Sequence, residues 1–193
     1  MLAISLLFGI FIFLSLATLN FASDDTLEYE IHMQGALPKR ANEYLSRLFP
    51  LPPELQKSYE SAFIVEYIPL ANSSIAHHMV LHGCSQAPPE HFRQASMQPL
   101  DCGILLYAWA MGALPLRLPQ GVGFRLGPHE TDIKGFRLEV HYRTPLLQPD
   151  YSGLRLIILR RSMPLLAGVF LVLATYGELP GHTSHIHLDI SCR

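Results

Sequence analysis

An all-β chain, folded as an antiparallel β-sandwich or jelly roll, is what this sequence predicts, and three observations carry the prediction. Short apolar runs recur between clusters of Pro, Gly, Asp and Asn. Several of these runs alternate apolar with polar residues, as where Phe136, Leu138 and Val140 interleave with Arg137, Glu139 and His141. That is the two-residue period of a half-buried strand. The 15 prolines in 193 residues suit turns and sheet edges and would break helix interiors.

The elements follow in chain order. Residues 1–22 form a nearly unbroken apolar run that stops at Asp24; it reads as a secretory signal peptide, cut after Ala17 or Ala22, or as an uncleaved anchor. One domain is expected over 26–193. Its first strand is 27–33, where Glu28 and Glu30 alternate with larger neighbours. Two short helices are expected, at 38–49 and at 53–61, each opening on a proline. The aliphatic and aromatic runs at 62–69, 75–82 and 103–110 read as strands, as do 122–126 and 135–142. Further strands are expected at 153–159, 166–176 and 185–190. No repeat or linker interrupts the series.

An apolar fraction of 49% against 16% charged residues is enough to bury a core. The net charge of −2 leaves no electrostatic footprint for nucleic acid, and a membrane enters only through an uncleaved N-terminal segment. No nucleophile elbow, phosphate-cradling loop or HExxH motif is present.

Ten histidines stand out, three of them in HHMVLHGC, residues 77–84. On a regular strand His77 and His78 point to opposite faces, and His78 and His82 share a face about 13 Å apart. Strand geometry alone therefore chelates no metal with any two of these three, although a bulge could swing His77 and His78 together. His185 and His187 would share a strand face about 6.6 Å apart, within reach of one ion. His32, His91 and His129 sit in polar surroundings and read as solvated. Of three cysteines, Cys84 and Cys102 bracket a polar, proline-containing loop, so a local staple is expected there, leaving Cys192 unpaired.

Several stretches together resemble a known family. They are AHHMVLHGC (76–84), GILLYAWAMGALPLRLPQGVGFRLG (103–127), FRLEVHYRTP (136–145), SGLRLIILRRSMPLLAGVFLV (152–172) and LDISC (188–192). In that order and spacing they resemble the copper type II, ascorbate-dependent monooxygenases, nearest the N-terminal copper domain of the peptidylglycine α-hydroxylating branch. EIHMQGALPKRANEYL (30–45) fits the family's opening, so the resemblance covers about 28–193. It implies copper held by His77, His78 and His141, with ascorbate as reductant. His82 replaces an apolar residue of the pattern and is incidental, and Met79 reads as core filling.

The implied reaction is hydroxylation of the α-carbon of a C-terminal glycine with O₂, the first step of peptide amidation. In the family the histidine-only site stores and passes an electron. A second copper, held by two histidines and a methionine on a second β-sandwich, binds oxygen and the glycine-extended peptide. This sequence stops where the first domain hands over to the second. The expectation is therefore a half-enzyme, inactive alone and with no catalytic residue of its own, in the secretory pathway. The alternatives are a copper electron-donor module completed by a partner chain, or half of a dopamine β-hydroxylase-like enzyme. Glu139 in LEVHY resembles that last branch. Ser46 and Tyr151 stand at two cysteine positions of the family, and Cys192 matches a cysteine that bonds to the second domain.

Overall fold

The alternation of apolar and polar residues becomes two stacked sheets. The structure, a computed structural model, describes residues 25–58, 60–88, 101–127, 133–171 and 181–187. Its elements are β1 (Thr26–His32), β2 (Glu43–Pro50), α1 (Pro53–Gln56), β3 (Ala62–Leu70), β4 (Ala76–Cys84), β5 (Ile104–Ala110), β6 (Leu116–Arg117), β7 (Val122–Leu126), β8 (Gly135–Tyr142), β9 (Gly153–Leu159) and β10 (Leu165–Leu166). One sheet runs β1-β9-β3-β7-β10 with β6 added on β3, and the other runs β2-β8-β4-β5. All pairings are antiparallel except β10 with β7, which is parallel.

The core lies between the sheets. Ile64 and Tyr67 of β3 and Leu154, Leu156 and Ile158 of β9 face Met79 and Leu81 of β4, Trp109 of β5, and Phe136, Leu138 and Val140 of β8. Tyr67 stacks on Tyr107 across the layers, ring centroids 4.7 Å apart and planes within 2°. Burial pushes the Tyr67 phenol far above its ordinary range, so it stays protonated and neutral in the core. Gly153, where β9 enters between β1 and β3, has no room for a side chain, because a Cβ there would run into the Ile31 carbonyl.

Four sequence expectations are corrected. Residues 38–49 are not a helix: Asn42 turns with φ 55°, and 43–50 form β2, paired through its whole length with β8. A continuous ladder outweighs the local helix preference of Ala41, Glu43, Leu45 and Arg47. The helix expected at 53–61 is a single turn, 53–56, whose buried Leu55 anchors it. Of the strand expected at 166–176, only the two residues of β10 pair; 167–171 are irregular and the remainder lies outside the described residues. His185 and His187 are exposed and irregular, so the shared strand face proposed for them does not exist. The N-terminal apolar run, His91, His129 and Cys192 lie outside the described residues.

Candidate metal centre

β4 and β8 are neighbours in the four-stranded sheet, and their register contains one irregularity. Ala76 faces Tyr142 and His78 faces His141, so His77 is an extra residue with no partner on β8. Ala76 and Met79 are both fully buried. Counting forward from Ala76 turns His77 outward, and counting back from Met79 turns His78 outward. The bulge makes both true at once. This is the local distortion the resemblance required, and it answers the geometric objection that adjacent strand residues diverge.

His141 arrives on the same outer face from β8, between the buried Val140 and Tyr142. The strand end beyond it is pinned internally. The Tyr142 hydroxyl donates to Asp150 Oδ2 at 2.7 Å, and Asp150 Oδ1 accepts from the Ser152 amide and hydroxyl at 3.1 and 2.8 Å.

The three rings turn the same atom inward. His77 Nδ1 lies 3.1 Å from His141 Nδ1 and 3.3 Å from His78 Nδ1, and the third side of the triangle is 3.4 Å. A point equidistant from nitrogens so spaced lies about 1.9 Å from each, close to the roughly 2.0–2.1 Å of imidazole–metal bonds. Hydrogen bonding does not account for the convergence. Three inward lone pairs repel, three inward N–H groups collide, and a mixed set leaves at least one nitrogen unserved. A cation satisfies all three together. Among the described residues these form the one group of three or more His, Cys, Asp or Glu side chains close enough to hold an ion.

The electrostatics favour the neutral, ligating form. Burial first, then the adjacent His77, lowers the pKa of His78, with Glu139 pulling weakly the other way. Burial also lowers that of His141, followed by His78, His77 and Arg143. His141 is only 8% exposed, and its outer nitrogen, Nε2, is buried without a partner. Ligating histidines are usually held by a hydrogen bond from that nitrogen. Here Tyr44 of β2 takes over the orienting role: its ring stacks on His141 at 4.3 Å with planes within 6°, and meets His78 edge-on at 5.9 Å.

Sequence reasoning missed Tyr44, because it fell in the segment taken for a helix. The strand register that places Tyr44 opposite His141 is its only signal. His82 lies further along β4, opposite Arg137, and takes no part in the triangle. Cys84 and Cys102 form a disulfide that ties the end of β4 to the approach to β5.

Three imidazoles suit copper, zinc or nickel, with copper(II) the tightest of the divalent ions. The comparisons with known proteins narrow that choice. The family described as copper type II ascorbate-dependent monooxygenase, N-terminal domain, matches residues 29–149. Peptidyl-glycine alpha-amidating monooxygenase of Mus musculus is 36% identical over 177 residues, which is 89% of this chain and 17% of that protein. Peptidyl-glycine alpha-amidating monooxygenase A of Xenopus laevis is 30% identical over 177 residues, 89% of this chain and 18% of its own length. Dopamine beta-hydroxylase of Homo sapiens is 32% identical over 130 residues, 60% of this chain and 21% of that protein. The chain thus spans about a fifth or less of these relatives.

Proposed function

This chain belongs to the copper type II ascorbate-dependent monooxygenases, and from that membership we propose that His77, His78 and His141 hold one copper ion and serve peptidylglycine hydroxylation as its electron-storing centre. The observation that carries the proposal is the inward triangle of three Nδ1 atoms, with sides of 3.1–3.4 Å. The longer reach of the amidating relatives, 89% of the chain against 60% for dopamine beta-hydroxylase, supports the peptide branch. The substrate class is then a peptide ending in glycine, hydroxylated at its α-carbon by O₂ with electrons from ascorbate.

Copper bound there supplies a store for one electron, cycling between +2 and +1. The chain's own residues do the rest. The three neutral imidazoles serve both oxidation states without an anionic ligand. The bulge at His77 and the pinned end of β8 set the rings before metal arrives, so little reorganisation accompanies the change of charge. Tyr44 keeps water off the His141 face. Oxygen and peptide are assigned to a second domain, in the same polypeptide or in a partner. A secretory location is part of the proposal; the N-terminal apolar run and the Cys84–Cys102 bridge support it.

The test is copper content after dialysis against a weak chelator. The full chain should retain one equivalent. His141→Ala should retain almost none at the same copper concentration while its circular dichroism is unchanged. Equal retention by both would sink the assignment.

A further inference from the structure

The centre lacks an assigned place for its reductant, and the surface around Tyr44 offers one. Tyr44 is 54% exposed although its other face lies against His141. A molecule resting on the outer face of that ring is one aromatic ring away from a metal ligand. The same surface carries a cation. Arg143 follows His141 by two residues, just past the end of β8, and is exposed, and its charge reaches the His141 ring. Its backbone is fixed near Tyr44, since the amide of Asn42 donates to the Arg143 carbonyl at 3.2 Å and Tyr44 pairs with His141 two residues on. Arg143 makes no ion pair with an acidic side chain among the described residues.

We propose that Tyr44 and Arg143 form the docking site for an anionic enediol reductant, ascorbate, with the Tyr44 ring as contact surface and the Arg143 guanidinium as the charge that holds the anion. This deepens the proposed function and rests on it. In the step, the ascorbate monoanion gives one electron through the Tyr44–His141 stack and one proton to water. It leaves as the ascorbyl radical anion, and the bound ion falls from +2 to +1. Tyr44 is a bridge and is not itself oxidised. Glu139, on the same face one residue pair further along β8, repels an anion from the opposite side and confines docking to the Arg143 end.

The experiment is single-turnover reduction of the copper-loaded full chain, followed by loss of the Cu(II) electron paramagnetic resonance signal. Ascorbate is compared with hydroquinone, which is neutral at pH 6.5. Arg143→Gln should slow ascorbate about threefold at low salt and leave hydroquinone unchanged. Added salt should slow the parent with ascorbate by a similar factor and affect Arg143→Gln little, while Arg143→Lys keeps the parent rate. Tyr44→Ala should slow both reductants, and unchanged rates would remove the ring from the site. An Arg143→Gln variant that slows both reductants equally, or neither, overturns the proposal. A wild-type chain that shows no bound Cu(II) signal overturns the proposed function itself, an outcome visible before any reductant is added.

Discussion

At the scale of single residues, the centre shows how one position in a motif can matter and its neighbour not. His77, His78 and His82 share one strand, yet only the first two bring a nitrogen to the triangle. His82 is half-buried with Nδ1 unpartnered, facing Arg137 across the ladder. Burial and the Arg137 charge lower its pKa, with Glu139 opposing. His82 lies outside the triangle. His82→Leu should therefore leave copper stoichiometry unchanged and raise stability by about 1 kcal/mol, through loss of a buried unsatisfied nitrogen. Urea melts of the metal-free variant check it; a fall in copper binding would give His82 a role the triangle denies. The grouping of His77, His78 and His141 was legible through resemblance and not through spacing. Period-two counting separates His77 from His78, and only the backbone reveals the extra residue that reunites them.

At the scale of elements, alternation located most strands of the sandwich to within a residue or two. It failed where the partner strand, and not the local sequence, decides. β2 carries good helix formers, and the ladder to β8 overrides them. β10 is too short to leave a pattern. The hairpin of β4 and β5 has a different support, the disulfide between Cys84 and Cys102, 18 residues apart. Closing a loop of that size removes unfolded-state entropy worth about 3 kcal/mol. The double variant Cys84→Ser/Cys102→Ser should melt well below the parent in calorimetry, and its copper affinity should fall less than its stability, since the ligands sit at the other end of β4. A collapse of copper binding at temperatures where the variant is still folded would show that the bridge positions the ligands directly.

At the scale of the whole molecule, the centre ties stability to pH. His78, His82 and His141 are all held below the ordinary histidine pKa of about 6.5, chiefly by burial. Below that value the unfolded chain takes up protons that the native, metal-free chain refuses. The contribution is thus fully present above about pH 6.5 and is lost as the pH falls toward the native values. Denaturant midpoints of the metal-free protein should be flat from pH 8 to 7 and drop between pH 6.5 and 5. Copper should push that drop lower, because it binds only the deprotonated rings. A midpoint that rises as the solution is acidified would contradict the burial of these rings.

The central claim is that three imidazoles, and nothing else from the described residues, hold one copper ion through Nδ1. X-ray absorption of the reduced, copper-loaded chain tests it most directly. The account predicts a shell of three nitrogens at about 1.9–2.0 Å with the outer-shell pattern of imidazole and no sulfur. A sulfur scatterer, or a shell that survives His78→Ala unchanged, would contradict it.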